Sequence, residues 1–232
     1  MTALQSNYRE FLGDGTKDEN GKSLEEFLVA YDPYKYKSPS VTADIVVLQE
    51  KERVDPTSNN TGLQVLLIKR RNHPCIGLWA LPGGFAEMEE SLEESAAREL
   101  YEETGVKDVS VVQLHTWGDP DRDPRGRIIT VSYLAYLEKE TAVTAGDDAK
   151  EAAFAEVNVN LVNTQNTQEE RIQTYELTLT NKEAGIACTS IVAVTEKKKG
   201  IKERHYEIVK NHGLAFDHAK ILINALERVL FS

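Results

Sequence analysis

Apolar and polar positions along the chain follow two periods, and the switches between them predict its elements. Val41–Glu50 (VTADIVVLQE) and Gly62–Arg70 (GLQVLLIKR) are apolar, β-branched runs that read as strands on either side of a polar turn over 51–61. A helix is expected from Ser91 to Thr104, opened by the capping box Ser91-Leu92-Glu93-Glu94 and closed at Gly105. Strands are expected near Val109–Trp117, Arg127–Leu137 and Ala152–Val157, with Asn158–Glu170 as a polar connection. Arg171–Thr180 and Ile186–Thr195 read as an added hairpin around Asn181–Gly185, followed by a solvated turn at Lys197–Lys199. Phe216–Leu230 carries Ile221, Leu222, Ala225, Leu226, Val229 and Leu230 on one broad helical stripe, with His218 as a packing residue. Near the N-terminus a polar, Gly-containing stretch (Asp14–Lys22) precedes a second capping box, Ser23-Leu24-Glu25-Glu26, and a short helix that Pro33 ends. The order predicts an α/β (α+β) domain over 39–232, a mixed β-sheet between helices, with an N-terminal arm over 1–38.

Composition narrows the partners. The chain has 232 residues, 41% of them apolar, enough for a self-sufficient core. Its 27 basic residues face 38 acidic ones, a formal charge of −11, which argues against a bulk surface for nucleic acid. Two cysteines, Cys75 and Cys188, make no disulfide framework and fit a reducing, cytoplasmic setting. No apolar run approaches the roughly 20 residues that span a bilayer, and Met1–Leu12 lacks a signal pattern. An acidic chain that binds a phosphate must bring two anions together.

The residues that address that problem lie in Gly84–Val106 (GFAEMEESLEESAARELYEETGV). At about 100° per residue, Glu99, Glu102 and Glu103 share an arc of roughly 100° on the helix, and Glu94 points away. Carboxylates so placed repel one another. Alone, E-x-x-E-E reads as a solvated acidic face, but its neighbours change the picture. Arg98 lies four residues from both Glu94 and Glu102 and can steady a ligand, and Gly83-Gly84 lets backbone approach closely enough to offer a carbonyl. Hard oxygen donors of this kind suit Mg²⁺ or Mn²⁺. Glu103 borders the apolar arc of Ala96, Leu100 and Thr104, which marks it as the least solvated carboxylate and the candidate base.

The stretch resembles the signature of the Nudix hydrolases, G-x5-E-x7-R-E-U-x-E-E-x-G-U with U apolar. It is filled by Gly84, Glu90, Arg98, Glu99, Leu100, Glu102, Glu103, Gly105 and Val106 without departure. Chance would produce such a match in a chain of this size on the order of once in 10⁷. The resemblance implies a sheet–helix sandwich and Mg²⁺-dependent hydrolysis of a nucleoside diphosphate derivative. It implies that Glu99, Glu102 and Glu103 hold metal with the Gly84 carbonyl, that Arg98 and Glu90 hold the loop–helix geometry, and that the protein is a homodimer in which the N-terminal arm can take part.

Two further segments bear on the substrate. Arg70–Gly84 (RRNHPCIGLWALPGG) is similar to the approach to the box in ADP-ribose pyrophosphatase-like members, and Gly118–Arg127 (GDPDRDPRGR) is similar to a loop of ADP-ribose hydrolases and their Nudix-derived regulators. Arg70, Arg122, Arg125 and Arg127 are therefore candidate substrate contacts. Leu214–Ile221 also looks like the final helix of that group, whose pattern is interrupted here over about 163–207. Two positions depart: Cys75 stands where an aromatic residue is common, and Ala153-Phe154-Ala155 replaces an aromatic pair, which leaves the end of the sheet open. Trp79, Phe85, Trp117 and Tyr133 are candidate adenine-stacking residues, with core packing as the commoner role. Asp147, Asp148 and Glu151 offer an alternative base from outside the helix. The resemblance favours ADP-ribose cleaved to AMP and ribose 5-phosphate. The alternatives are a broader pyrophosphatase acting on NADH or sugar nucleotides, and an ADP-ribose-sensing repressor. Such repressors carry a winged helix after the final helix, whereas this sequence ends at Ser232, and the intact box favours hydrolysis.

Overall fold

The computed structural model describes residues 11–51, 61–137, 143 and 149–230. The chain divides into two compact units, Met1–Ser38 and Pro39–Ser232. In the first, helix α1 (Leu24–Ala30) is opened by the Ser23–Glu26 capping box and buries none of its residues. The Asp18 carboxylate accepts the Asn20 and Lys22 amides and so closes the loop ahead of it.

The second unit is organised around β1 (Ser40–Glu50), which pairs in parallel with β6 (Ile128–Leu137) and antiparallel with β2 (Leu63–Arg70). A parallel pair inside an otherwise antiparallel sheet makes the sheet mixed, as the order of elements predicts. The apolar run of β1 is continuous because both its faces are covered. Ile45 and Val47 pack with Leu66, Ala96 and Leu100, under helix α2 (Leu92–Thr104). Val46 and Leu48 face the other way, into a core shared with Leu63, Val65 and Leu67 of β2 and with Ile221, Leu222 and Leu226 of helix α3 (His218–Leu230).

Two short strands inside the Pro/Gly-rich region place the chemistry. Strand β3 (Trp79–Ala80) pairs with β2, and β4 (Gly83–Phe85) pairs with β1 in the register Asp44↔Gly83, Ala43↔Gly84 and Thr42↔Phe85. Strand β5 (Val111–Trp117) flanks β6 at one edge.

The other half of the sheet is larger than the expected hairpin. Strand β7 (Ala149–Asn166) pairs with β2 through Glu156 and continues, paired with β8 (Glu170–Asn181), to Asn166. The expected polar connection over Asn158–Glu170 is therefore mostly strand. Its Val157-Asn158-Val159-Asn160-Leu161 run alternates at the strand period, and asparagine at every second position disguises it. Replacement of an aromatic pair at Ala153-Phe154-Ala155 does not end the sheet. Strands β9 (Ile186–Lys197) and β10 (Arg204–His212, not anticipated) complete the order β10-β9-β8-β7-β2-β1-β6-β5.

The segment entering α3 is fastened to the short strands. Trp79 N–H donates to the Gly213 carbonyl at 3.0 Å, and Ala215 N–H donates to the Trp79 carbonyl at 2.7 Å. Gly213 adopts φ 88°, and a Cβ there would lie 2.8 Å from Cys188 Sγ. Gly213→Ala should therefore lower unfolding free energy by about 1–3 kcal/mol, read as an earlier midpoint in urea denaturation. An unchanged midpoint would show that this junction tolerates a side chain.

Candidate active site

Helix α2 begins with the Ser91 hydroxyl accepting the Glu94 amide, and the Glu94 carboxylate accepting the Ser91 amide at 2.8 Å. It ends at Gly105 in the left-handed conformation. Glu94 is thus committed to the cap, and Arg98 does not pair with it. Arg98 instead gathers three other carboxylates. Its Nε donates to Glu90 at 2.9 Å, and its Nη1 to Glu99 at 2.8 Å and to Glu102 at 3.1 Å, while Nη2 reaches the Phe85 carbonyl at 3.1 Å. The Arg98 proton affinity rises above its ordinary value, through Glu90 first and then Glu99. The same bond from Arg98 holds the Glu90 carboxyl below the usual range. Glu90 also accepts from the Ser95 hydroxyl at 2.9 Å, so one guanidinium ties the loop over 83–90 to the helix.

Glu103 sits apart from this knot. Its Oε2 accepts the Gly83 amide at 2.8 Å, and the residue is 8% exposed. Burial pushes its carboxyl up to about 8 against the opposing pull of the Gly83 bond, and Glu99 and Asp44 add to the rise. The sequence reading of Glu103 as the least solvated of the three agrees with this position.

Among the described residues no three His, Cys, Asp or Glu side chains form a closed metal cluster. The arrangement nonetheless suits a divalent ion by its chemistry. All the donors are hard oxygens, and a buried carboxylate whose charge is disfavoured gains most from a cation. Gly84 is fitted to the same spot, since a Cβ there would come within 2.5 Å of the Glu99 carboxyl. Only glycine lets this backbone run so close to the carboxylate.

In front of β4 lies a cleft of about 110 Å³ lined by Thr42, Asp44, Gly83, Gly84 and Phe85, and by side chains from three distant segments. Of the candidate arginines, Arg70, Arg122 and Arg125 line it. They differ in availability. Arg122 is held by the Asp217 carboxylate through bonds of 3.0 and 2.7 Å, and lies 3.7 Å from Asp44. Arg125 is braced by Asp123 at 3.0 and 2.7 Å, with its guanidinium 5.1 Å from the Phe85 ring and 5.8 Å from Phe216. Arg70 Nε donates to the Pro74 carbonyl, and its guanidinium lies 5.0 Å from the Phe216 ring. Arg127, the fourth candidate, is not among the residues lining the cleft; it is exposed, and its Nη1 donates to the Gly118 carbonyl at 2.6 Å, which closes the arginine loop on itself.

Of the aromatic candidates, Trp79, Trp117 and Tyr133 are core residues, and Phe85, 43% exposed, lies in the cleft. Glu151 pairs with Lys69 at 3.2 Å, and Asp147 and Asp148 lie outside the described residues. Cys75 is half-buried and packs beside Ile68, Ala80 and Ala215.

Three cleft residues, Asp44, Phe216 and His218, and Asp217, which holds Arg122, escape a functional reading of the sequence. Asp44 is a carboxylate buried in an apolar strand, and that incongruity is the available signal. Its Oδ2 accepts from the Thr130 hydroxyl at 2.7 Å. His218, expected as a packing residue, does pack, but it also works: its Nδ1 accepts the Leu81 amide at 2.9 Å. Burial holds the imidazole below its ordinary value, so it is neutral, with its proton on Nε2, 3.9 Å from Asp44.

The described geometry can be set beside known proteins. The NUDIX domain model matches residues 39–177, more than half of the chain. The chain belongs to the Nudix family. Its signature helix is α2, and the sheet–helix sandwich is the Nudix fold. Nudix hydrolases generally use a divalent metal. The chain is 40% identical over 123 residues to an ADP-ribose pyrophosphatase of Methanocaldococcus jannaschii, covering 53% of this chain and 65% of that protein. It is 34% identical to a MutT/nudix family protein from Enterococcus faecalis, whose crystal structure covers all of this chain with a TM-score of 0.62, over 75% of that chain. It is also 34% identical to the NUDIX domain of Shewanella oneidensis NrtR, solved with ADP ribose, over 57% of this chain and 82% of that one, with a TM-score of 0.51. The chain spans less than two thirds of the length of the first curated relatives it matches, 65% and 45%.

Glu103 makes the Nudix helix pH-sensitive when no cation is present. A carboxyl whose folded-state value is raised binds its proton more tightly folded than unfolded, so its contribution to stability falls as pH rises from about 4.5 through about 8. In a chelated sample, wild type should lose stability relative to Glu103→Gln across that window, by on the order of a few kcal/mol. Parallel melting curves for the two proteins from pH 5 to 9 would refute the assignment.

Proposed function

We propose that this Nudix chain hydrolyses the pyrophosphate bond of a nucleoside diphosphate derivative in a divalent-metal-dependent reaction, with ADP-ribose cleaved to AMP and ribose 5-phosphate as the first choice. The observation that carries the reading is the juxtaposition in one cleft of Arg70, Arg125 and Phe85 with the Gly83–Gly84 backbone, which Glu99 and Glu103 flank. A pyrophosphate needs positive charge on one side and an activated water on the other.

Glu99, Glu102 and Glu103, with the Gly84 carbonyl, are the residues that would hold the ion, Mg²⁺ or Mn²⁺. Once bound, such an ion screens the pyrophosphate and lowers the pKa of a coordinated water. Arg98 orients Glu99 and Glu102 through the bonds already described. Glu103, buried and bonded to the Gly83 amide beside the Gly84 backbone, is the group placed to take a proton from the attacking water at its carboxylate. Arg125 and Arg70 face the phosphates, and Phe85 offers a ring on which a base or ribose can rest. Arg122, bonded to Asp217 and near Asp44, serves the cleft wall rather than the substrate directly.

A second reading, binding of ADP-ribose without turnover, is favoured by the similarity to the NrtR NUDIX domain solved with that ligand. A third is broader hydrolysis that includes NADH and sugar nucleotides. A product assay over ADP-ribose, NADH, diadenosine polyphosphates and sugar nucleotides separates the three. The proposal expects AMP from ADP-ribose, loss of turnover with EDTA, and recovery with Mg²⁺ or Mn²⁺. Arg98→Met should lower activity by roughly 10–100-fold, as loss of a group that orients metal ligands does. Tight ADP-ribose binding with no AMP at any metal concentration would establish the sensor reading, and AMP formed at full rate after chelation would overturn the mechanism.

A further inference from the structure

Two consecutive residues at the entry to α3 contact all three arginines of the cleft. The Asp217 carboxylate takes Arg122 through two bonds, and the Arg122 side chain, 5% exposed, is committed to the wall. The Phe216 ring meets the other two. The Arg70 guanidinium carbon lies 5.0 Å from its centroid and that of Arg125 lies 5.8 Å from it, both within reach of a cation–π contact.

Arg70 ends β2, whereas Arg125 comes from the loop between β5 and β6. Two guanidinium charges brought to one cleft repel each other. Phe216 offers both of them the negative face of one ring, and so opposes that repulsion without neutralising either charge. A carboxylate in its place would hold the arginines too, but would compete with an anionic ligand for them.

The ring itself is fixed. Phe216 adopts φ 47°, a left-handed conformation uncommon for a bulky residue. It is held there from both sides. The preceding Ala215 amide donates to the Trp79 carbonyl, and the following Asp217 is bonded to Arg122. The ring packs against the Ile68, Ala80 and Ala215 cluster and lies 5.5 Å from the His218 ring, which is tied to the Leu81 amide.

Both arginines keep donors in hand. Arg70 is anchored through Nε to the Pro74 carbonyl, and Arg125 through Nε and Nη2 to Asp123. Among the described residues, Arg70 Nη1 and Nη2 and Arg125 Nη1 donate no hydrogen bond. Free ends of guanidinium forks suit phosphate oxygens.

We propose that Phe216 is a positioning residue that makes the cleft select linked phosphates. Its ring holds Arg70 and Arg125 together, so that a diphosphate engages two guanidiniums where a monophosphate engages one. The assignment rests on the reading of the cleft as a nucleoside diphosphate site, and it places the discrimination outside the signature helix.

The test is calorimetric titration of the full chain with ADP-ribose and with AMP, in EDTA so that no turnover intervenes. Phe216→Leu keeps an apolar side chain and removes the ring. It should weaken ADP-ribose roughly fivefold or more, the loss expected for two cation–π contacts, and AMP by no more than about twofold. Phe216→Tyr restores the ring and should bind both within about twofold of wild type. Should Phe216→Leu fail to fold, Phe216→Met, flexible enough to fill the same space, takes its place. Equal weakening of the two probes would mean that Phe216 stacks on the adenosine or merely packs, and would overturn the proposal. Unchanged ADP-ribose affinity in the ringless variant, or a tyrosine variant as weak as the ringless one, would also overturn it, and in each case the functional reading stands. Wild type that neither binds ADP-ribose in EDTA nor releases AMP from it with Mg²⁺ would instead overturn that reading, and this assignment with it.

Discussion

One guanidinium holds the signature region together. Arg98 binds Glu90 in the loop, Glu99 and Glu102 on its own helix, and the Phe85 carbonyl at the end of β4. Without it, three carboxylates and a strand terminus would meet with no counter-charge, and the helix would drift from the loop that carries Gly84. The arrangement is partly buried, with the Arg98 side chain 24% exposed and Glu99 15%. Charge pairing there is therefore stronger than at an open surface. The acidity of the chain is thus local in its effect, concentrated where a cation and a phosphate are proposed to meet.

The rest of the sheet serves this knot by fixing what faces it. Pairing of β4 with β1 sets Gly83 opposite Asp44, and the segment entering α3 is tacked to β3 by the Trp79 hydrogen bonds. His218 then reaches back to the Leu81 amide, and Asp217 anchors Arg122. Three regions far apart in sequence are in this way pinned to one cleft wall. The neutral state of His218 follows from its position, because a buried imidazole that accepts an amide proton on Nδ1 cannot also carry a proton there.

Helix α2 is legible in full from the sequence because caps and period agree: Ser91, Glu94 and Gly105 mark its ends, and the Glu99–Glu102–Glu103 arc follows from helix geometry alone. The apolar runs of β1, β2 and β6 are equally plain. Strand β4 is not, since Gly83 and Gly84 carry no strand propensity and are held by pairing with β1 and by the Gly83 amide bond to Glu103. The strand over 158–166 escapes notice because asparagine and threonine, residues that also mark turns, alternate with its apolar positions. Candidate arginines are legible as a group but not individually. Arg125 and Arg127 have similar neighbours in sequence, and only the turn of the loop sends one to the Phe85 ring and the other to the Gly118 carbonyl. Asp217 and Asp44 are invisible as a functional pair because their connection through Arg122 is made only in three dimensions.

Everything proposed for the cleft depends on the carboxylates gathered at Arg98 and Glu103 forming the site for a divalent ion. Electron paramagnetic resonance of Mn²⁺ titrated into the chain reads this without any substrate, since bound ion is lost from the free-ion signal. Saturable uptake is expected for the wild type, and loss of that uptake for Glu99→Gln/Glu102→Gln protein of unchanged circular dichroism. Equal uptake by the two proteins, or no uptake by either, would contradict a metal site at this helix.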